Sequence, residues 1–224
     1  MCGRFTLALP WSEVARILRA EAPGPAPAPR WNLAPTQGVT VLVVTGAREL
    51  RTMRWGLIPS WARDPSIGNR LINARAETLA EKPSFRDSLK NRRCLVVADG
   101  FYEWRKEGKE KYPIWIHPRA GGVIAFAGLW DRWTSPDGEV VESCTIVTCA
   151  ANARIATFHE RMPVILPPEA WDAWLAPAPA DPTALLPLLV PCPADLLELR
   201  RVTTEVNRPS NEGESLIRPA DDGP

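Results

Sequence analysis

Seven runs rich in β-branched and aromatic residues dominate this chain, and no regular alternation with helices connects them. They are Val39–Thr45, Leu50–Trp55, Cys94–Ala98, Pro113–His117, Val123–Leu129, Val140–Thr148 and Leu199–Thr204, and each reads as a strand. Helical periodicity is sparser. Ser12 can cap a helix to Ala20 with Val14, Ile17 and Leu18 as its apolar stripe; Ala74–Ala80, Ser84–Asn91, Pro168–Leu175 and Thr183–Val190 carry weaker patterns. Parallel sheets need a crossover, usually a helix, between successive strands, and this order does not supply them. The expected class is α+β, a mainly antiparallel, curled, barrel-like sheet with helices at its margins. Ala22–Pro29 alternates Pro with Ala and Gly and reads as an extended surface loop. No internal repeat is visible. Residues 1–218 read as a single domain, and 219–224 as a disordered tail.

At 224 residues the chain can bury a sizeable core. No apolar run is long enough to span a bilayer, and Arg4 interrupts any early signal-peptide pattern. The expected location is cytoplasmic, nucleoid-associated in function, with no membrane partner. The five cysteines are an odd number without a C-x-x-C, which suits a reducing compartment. His117 and His159 lie far apart, so neither a metal site nor a cofactor is expected. Charge is unevenly spread. Arg48–Arg93 carries eleven Lys/Arg against five Asp/Glu, whereas Thr134–Leu199 carries two Arg against nine acids. A basic segment in a near-neutral protein suits a local polyanion site, although arginine-rich coding alone would also scatter such charges.

The chain begins Met1-Cys2-Gly3-Arg4-Phe5. Initiator methionine is normally removed before a small residue, and Cys2 would then carry a free α-amine beside its thiol. Such an amine has a pKa of about 7.7–8, so a useful fraction is neutral and nucleophilic near pH 7. A 1,2-aminothiol condenses with an aldehyde to an imine, which the thiol closes to a five-membered thiazolidine; ring closure gains from high effective molarity. The plain alternative is an early residue of an apolar strand.

Further segments bear on that choice. Asn32-Leu33-Ala34-Pro35-Thr36, Arg54–Trp61, Asn73–Thr78, Arg93–Trp104 and Phe158–Val164 follow the Cys2 start in order. Together they resemble the SRAP family of abasic-site-processing proteins, from Met1 to about Asn211. Trp31, where the family would have tyrosine, and Thr157-Phe158 before His159 are small departures. The resemblance implies a covalent crosslink to the ring-opened aldehyde of an abasic deoxyribose in single-stranded DNA, possibly at junctions, by a monomeric protein. Carried over by motif, Cys2 is the nucleophile, Asn73 a hydrogen-bonding partner, and Glu103 and His159 acid/base groups. The chemistry needs such types, since opening the sugar, deprotonating the amine and expelling water all move protons. Each also has a bland reading: Asn73 as a helix N-cap, Glu103 as an outward strand residue, His159 as part of a solvated turn.

Arg4, Arg75, Arg86 and Arg161 are the phosphate candidates, with the alternative that one or two pair with Glu77 or Glu160. Trp55, Trp61 and Trp104 offer possible stacking faces; Trp61, after a Pro-Ser turn, is the one singled out. Asn32 and Pro35 are expected as a wedge in the same groove. Two hydrolase readings compete. A class II glutamine amidotransferase also starts Cys-Gly, but its Asn-Gly segment is missing here. A thiol peptidase would combine Cys2, His159 and Asn73. A non-catalytic single-strand binder with an inert Cys2 is the third reading.

Overall fold

In a computed structural model, which describes residues 2–220, twelve strands build two connected sheets. The strands are β1 (Phe5–Leu7), β2 (Arg30–Leu33), β3 (Gly38–Val44), β4 (Arg48–Trp55), β5 (Asn73–Arg75), β6 (Arg93–Ala98), β7 (Gly100–Glu107), β8 (Glu110–Pro118), β9 (Ile124–Thr134), β10 (Val140–Ala150), β11 (Arg161–Pro163) and β12 (Leu197–Arg201). One sheet runs β12-β8-β7-β1-β2. The other runs β11-β10-β4-β3-β6-β9, and pairing of β9 with β10 closes β10, β4, β3, β6 and β9 into a barrel. The α+β class with a curled, largely antiparallel sheet is therefore observed. Among the described strands, β10 pairs in parallel with β4 and with β5.

Alternation along the strands builds the core. Phe5, Phe101 and Phe126 point inward, with ring centroids 6.0 Å apart for Phe5–Phe126 and 5.8 Å for Phe101–Phe126. Phe5 also meets Trp55 at 5.0 Å. Fully burying one such side chain is worth about 1.5–3 kcal/mol, so this cluster clamps the five-stranded sheet to the barrel. On the opposite face the cross-strand pair Tyr102 and Trp115 forms a second cluster with Val202, Val206 and Leu216, beneath the C-terminal segment. Gly100 is required there, because a Cβ would lie 2.3 Å from the Trp115 indole nitrogen.

The helices are short: α1 (Trp11–Leu18), α2 (Arg86–Asn91), α3 (Trp171–Trp174) and α4 (Pro182–Leu185). Ser12 does not cap α1. Pro10, at φ −55° and ψ 135°, occupies the cap position with no side-chain bond, and Arg19 in the left-handed region stops the helix before Ala20. Pro187 cuts the helix expected over Thr183–Val190 to one turn followed by a tighter one. The helix expected over Ala74–Ala80 is the clearest correction. Asn73–Arg75 is a strand, drawn into parallel register with Ile146–Thr148 of β10, and only Ala76–Thr78 coils, as a 3₁₀ turn. Backbone groups beside an open strand edge gain more from the ladder than local propensity offers.

The excursion between β4 and β5 is closed by two glycines. A Cβ on Gly56 (φ +118°) would lie 2.5 Å from the Gly68 carbonyl oxygen, and one on Gly68 would lie 2.7 Å from that of Gly56. This contact, with Trp55 Nε1 donating to the Ile72 carbonyl at 2.9 Å, delivers Asn73 to β10. At the other end Pro219 bridges Val202, and the Ala220 amide donates to the Arg201 carbonyl at 3.0 Å. Met1 and residues 221–224, including the rest of the expected tail, lie outside the described residues. Among the described residues no helix is long and apolar enough to cross a membrane.

Candidate active site

The N-terminal segment lies along β7. Phe5 pairs with Phe101 and Thr6 with Gly100, and the Tyr102 amide donates to the Arg4 carbonyl at 2.9 Å. Continued two residues, this antiparallel register brings Gly3 opposite Glu103. Cys2 is fully buried. Burial is the main cause that pushes its thiol well above the ordinary range; the nearby Glu103 charge adds to this, and the N-terminal amine and the Arg4 backbone N–H oppose it. Glu103 shares the inward face of Phe101 and is 4% exposed.

Asn73 reaches the same point from β5. Its Nδ2 donates to the Cys2 carbonyl at 2.8 Å, and its Oδ1 is buried with no hydrogen-bond partner. The expected N-cap alternative is removed, since Asn73 sits on a strand. His159 arrives from a 3₁₀ turn whose end is secured by its amide bonding the Ile155 carbonyl at 2.9 Å. Its Nδ1 lies 2.7 Å from the Arg161 carbonyl oxygen and 3.1 Å from the Arg161 amide nitrogen, so the Arg161 backbone holds the ring from that side. Its Nε2 lies 3.6 Å from Glu103 Oε2. The fold thus gathers all four catalytic candidates, from the residues before β1, from β5, from β7 and from the approach to β11, with the Glu103 carboxyl 3.6 Å from the His159 imidazole.

The expected DNA-binding residues divide more sharply. Arg161 makes two bonds to Glu77, at 2.6 and 2.9 Å, and one to the Thr148 carbonyl at 2.7 Å; this is the structural pairing left open by the sequence. The same arginine holds the Glu77 carboxyl below its usual range. Arg4 donates to Asn32 Oδ1 at 2.6 Å and to the Val206 carbonyl at 2.8 Å. Asn32 is fully buried and donates to the carbonyls of Arg208 and Asn211, both at 2.9 Å. It ties down the C-terminal segment and offers no surface to a groove, so a wedge built on it is corrected. Pro35 is half-buried in the turn before β3, and Arg75 is exposed beside Asn73. Arg86 is exposed at the start of α2, which packs on β6 and β9, strands that carry none of the four candidates.

Trp61 is 57% exposed on its turn, whereas Trp55 is fully buried with its indole bonded. Trp104 was not singled out by sequence, yet it adjoins Glu103. Its ring has the Arg4 guanidinium and the Lys111 ammonium each 5.9 Å from the centroid, and its Nε1 donates to Asn207 at 2.7 Å. Arg105 next to it covers the Phe158 ring at 5.5 Å. The alternation Glu103 in, Trp104 out was readable; which outward tryptophan adjoins the buried acid required the register. Among the described residues, no group of three or more His, Cys, Asp or Glu is placed to hold a metal ion.

Comparison with known proteins matches this architecture as a whole. "Abasic site processing protein YoqW" of Bacillus subtilis (strain 168) is 42% identical over 221 residues, covering 97% of this chain and 99% of that one. "Abasic site processing protein YedK" of Escherichia coli (strain K12) is 33% identical, covering 98% and 100%. A crystal structure of a protein from Bordetella bronchiseptica superposes with a TM-score of 0.78 at 28% identity, over 90% of this chain and 100% of the other. One from Bacteroides thetaiotaomicron shares the fold at TM-score 0.87 and 24% identity, over 98% and 100%. Residues 1–209 match the family model for SOS response associated peptidase, and the chain belongs to that family, SRAP.

Proposed function

We propose that this protein processes abasic sites in single-stranded DNA by forming a covalent thiazolidine through Cys2 once Met1 has been removed. The observation that carries the proposal is the Asn73 amide holding the Cys2 carbonyl at 2.8 Å while the Glu103–His159 pair stands beside the same residue. Relatives named for abasic-site processing support the substrate. In the reaction the neutral Cys2 amine attacks C1 of the ring-opened sugar, giving a carbinolamine that loses water to an imine. The thiol sulfur then bonds to that carbon and its proton passes to the nitrogen, so one water leaves overall. His159 and Glu103 move these protons, and Asn73 fixes the amine's line of approach. Trp104, flanked by Arg4 and Lys111, and the exposed Arg75 and Trp61 are the surfaces that we assign to the strand.

The hydrolase alternatives need a thiolate to attack an amide. Burial and Glu103 raise the Cys2 thiol, against the N-terminal amine and the Arg4 N–H, which supports an amine-first route. The test mixes purified protein with abasic single-stranded DNA and looks for an adduct that survives denaturation. Cys2→Ala is expected to abolish the stable adduct while leaving a borohydride-trappable imine. A stable adduct at wild-type yield in that variant overturns the thiazolidine mechanism.

A further inference from the structure

The five-stranded sheet has a second concave site on the face turned away from Glu103. Register places Tyr102 opposite Trp115 and Glu103 opposite Ile114, so Trp115 and Glu103 project from opposite faces. Over Trp115 opens a cavity of about 350 Å³, lined also by Thr6, Trp31, Asp99, His117 and Glu214. None of the four catalytic candidates lines it. The volume falls at the small end of ligand pockets.

Three acceptor side chains, Asp99, His117 and Glu214, line this cavity beside the donors Thr6, Trp31 and Trp115. Asp99 takes the Thr6 hydroxyl on one oxygen and the amides of Ala8 and Leu9 on the other, at 2.6 and 3.1 Å. No cation is among the groups acting on its carboxyl. His117 stacks on Trp115 with centroids 4.0 Å apart and planes at 22°. Its Nδ1 lies 3.2 Å from the Pro118 carbonyl oxygen, which makes Nδ1 the protonated nitrogen. Burial lowers the His117 pKa, so the ring is neutral and Nε2 carries a lone pair. That Nε2 is buried and has no hydrogen-bond partner. Glu214 stands on the rim, 4.0 Å from the Arg218 guanidinium. Arg200 covers Trp115 at 5.3 Å, but its Nη1 donates to the Ile217 carbonyl and it does not line the cavity.

An aromatic floor with two carboxylates and an unmet imidazole lone pair suits a flat or compact cation rich in N–H groups. We propose that this cavity binds a small organic cation of the alkylguanidinium or alkylammonium class, with Asp99, Glu214 and His117 Nε2 as acceptors. The site is separate from the Cys2 chemistry and does not depend on it.

The test is calorimetric titration of the full chain with agmatine, which carries both head groups, with putrescine as the amine-only arm and choline as a cation without N–H donors. Agmatine is expected to bind saturably at one site, and choline not to bind measurably. Glu214→Gln and His117→Phe, the latter keeping the stack on Trp115, are each expected to weaken agmatine about tenfold, the loss of one charge-assisted hydrogen bond. Putrescine binding as tightly as agmatine assigns the ammonium head; weaker binding assigns the guanidinium. Both variants are expected to keep wild-type adduct formation with abasic DNA. If His117→Phe fails to fold, Glu214→Gln carries the comparison. Absence of saturable agmatine binding, equal binding of choline, or unchanged affinity in the folded variants overturns the proposal.

Discussion

Arg161 and Arg75 lie on neighbouring strands of β10 and both are phosphate candidates, yet their surroundings predict opposite phenotypes. The Arg161 side chain is 12% exposed and ties Glu77 to the Thr148 carbonyl across β11, β10 and the turn after β5. The Glu77 side chain is 53% exposed, so the ion pair itself is discounted to about 0–1 kcal/mol. Removing the guanidinium also strands the Thr148 carbonyl, at about 1–3 kcal/mol. Arg161→Ala is therefore expected to lose about 2–3 kcal/mol, or roughly 5–10 °C in melting temperature for a chain of this size. Arg75 is exposed, and Arg75→Ala is expected to shift stability by at most about 0.5 kcal/mol. In exchange it loses one phosphate contact, lowering the slope of log affinity against log salt for single strands by about 0.7. Urea unfolding and a salt titration of single-strand binding read both quantities in each variant. An Arg161→Ala protein of unchanged stability but shallower salt slope would show that the guanidinium contacts DNA instead of Glu77, and refute this division of labour.

Three further outcomes follow from the same geometry. Asn73→Ala removes one hydrogen bond to the Cys2 carbonyl and is expected to slow adduct formation about three- to tenfold with little change in final yield; an unchanged rate in a timed crosslinking assay argues that the amide is merely structural. His159→Ala is expected to slow both formation and release, because the group that donates a proton in one direction must recover it in the other. Chasing a preformed adduct with excess abasic competitor checks this, and a wild-type release rate removes the role. Burial raises the Asp99 carboxyl above its usual value despite four hydrogen bonds that oppose it. Its contribution to stability is therefore full below the unfolded pKa of about 3.9 and is lost as pH rises through the folded value. The destabilisation caused by Asp99→Asn should shrink from acid towards neutral pH in chemical unfolding, and a gap that widens contradicts the sign.

How much of this was legible depended on whether the deciding contact was local. The strand expected at Cys94–Ala98 is β6 almost residue for residue, because its apolar run is buried on both faces and needs no partner to be recognised. Asn73–Arg75 was misread as the approach to a helix, since Ala, Glu, Thr and Leu following it give a helical pattern and the competing ladder lies more than seventy residues away on β10. The identities of Cys2, Asn73, Glu103 and His159 came from motif resemblance, but the direct Glu103–His159 pairing did not. The two side chains come from β7 and the turn before β11, more than fifty residues apart in sequence, and only the fold makes them neighbours. Arg161 shows the limit most plainly: nothing in its flanking residues distinguishes a phosphate ligand from a partner for Glu77, 84 positions earlier.

That neighbouring pair resolves a conflict within the proposed chemistry. A lone carboxylate at Glu103 would favour the protonated form of an adjacent Cys2 amine and so oppose the first attack. It also holds the thiol protonated, together with burial. With His159 Nε2 3.6 Å away, the carboxylate need not act alone, because a proton taken from the amine can be shared with the imidazole. The same shared proton is available when the carbinolamine expels water. The late thiol then meets an imine, a far better electrophile than an amide, and its proton leaves only as the C–S bond forms. A thiol kept neutral is thus no obstacle to ring closure, while it would be a serious one for a peptidase that must present a thiolate at the outset. Glu103→Gln consequently acts on both halves of the reaction in opposite senses: it relieves the charge that holds amine and thiol protonated, and it removes the acceptor for their protons.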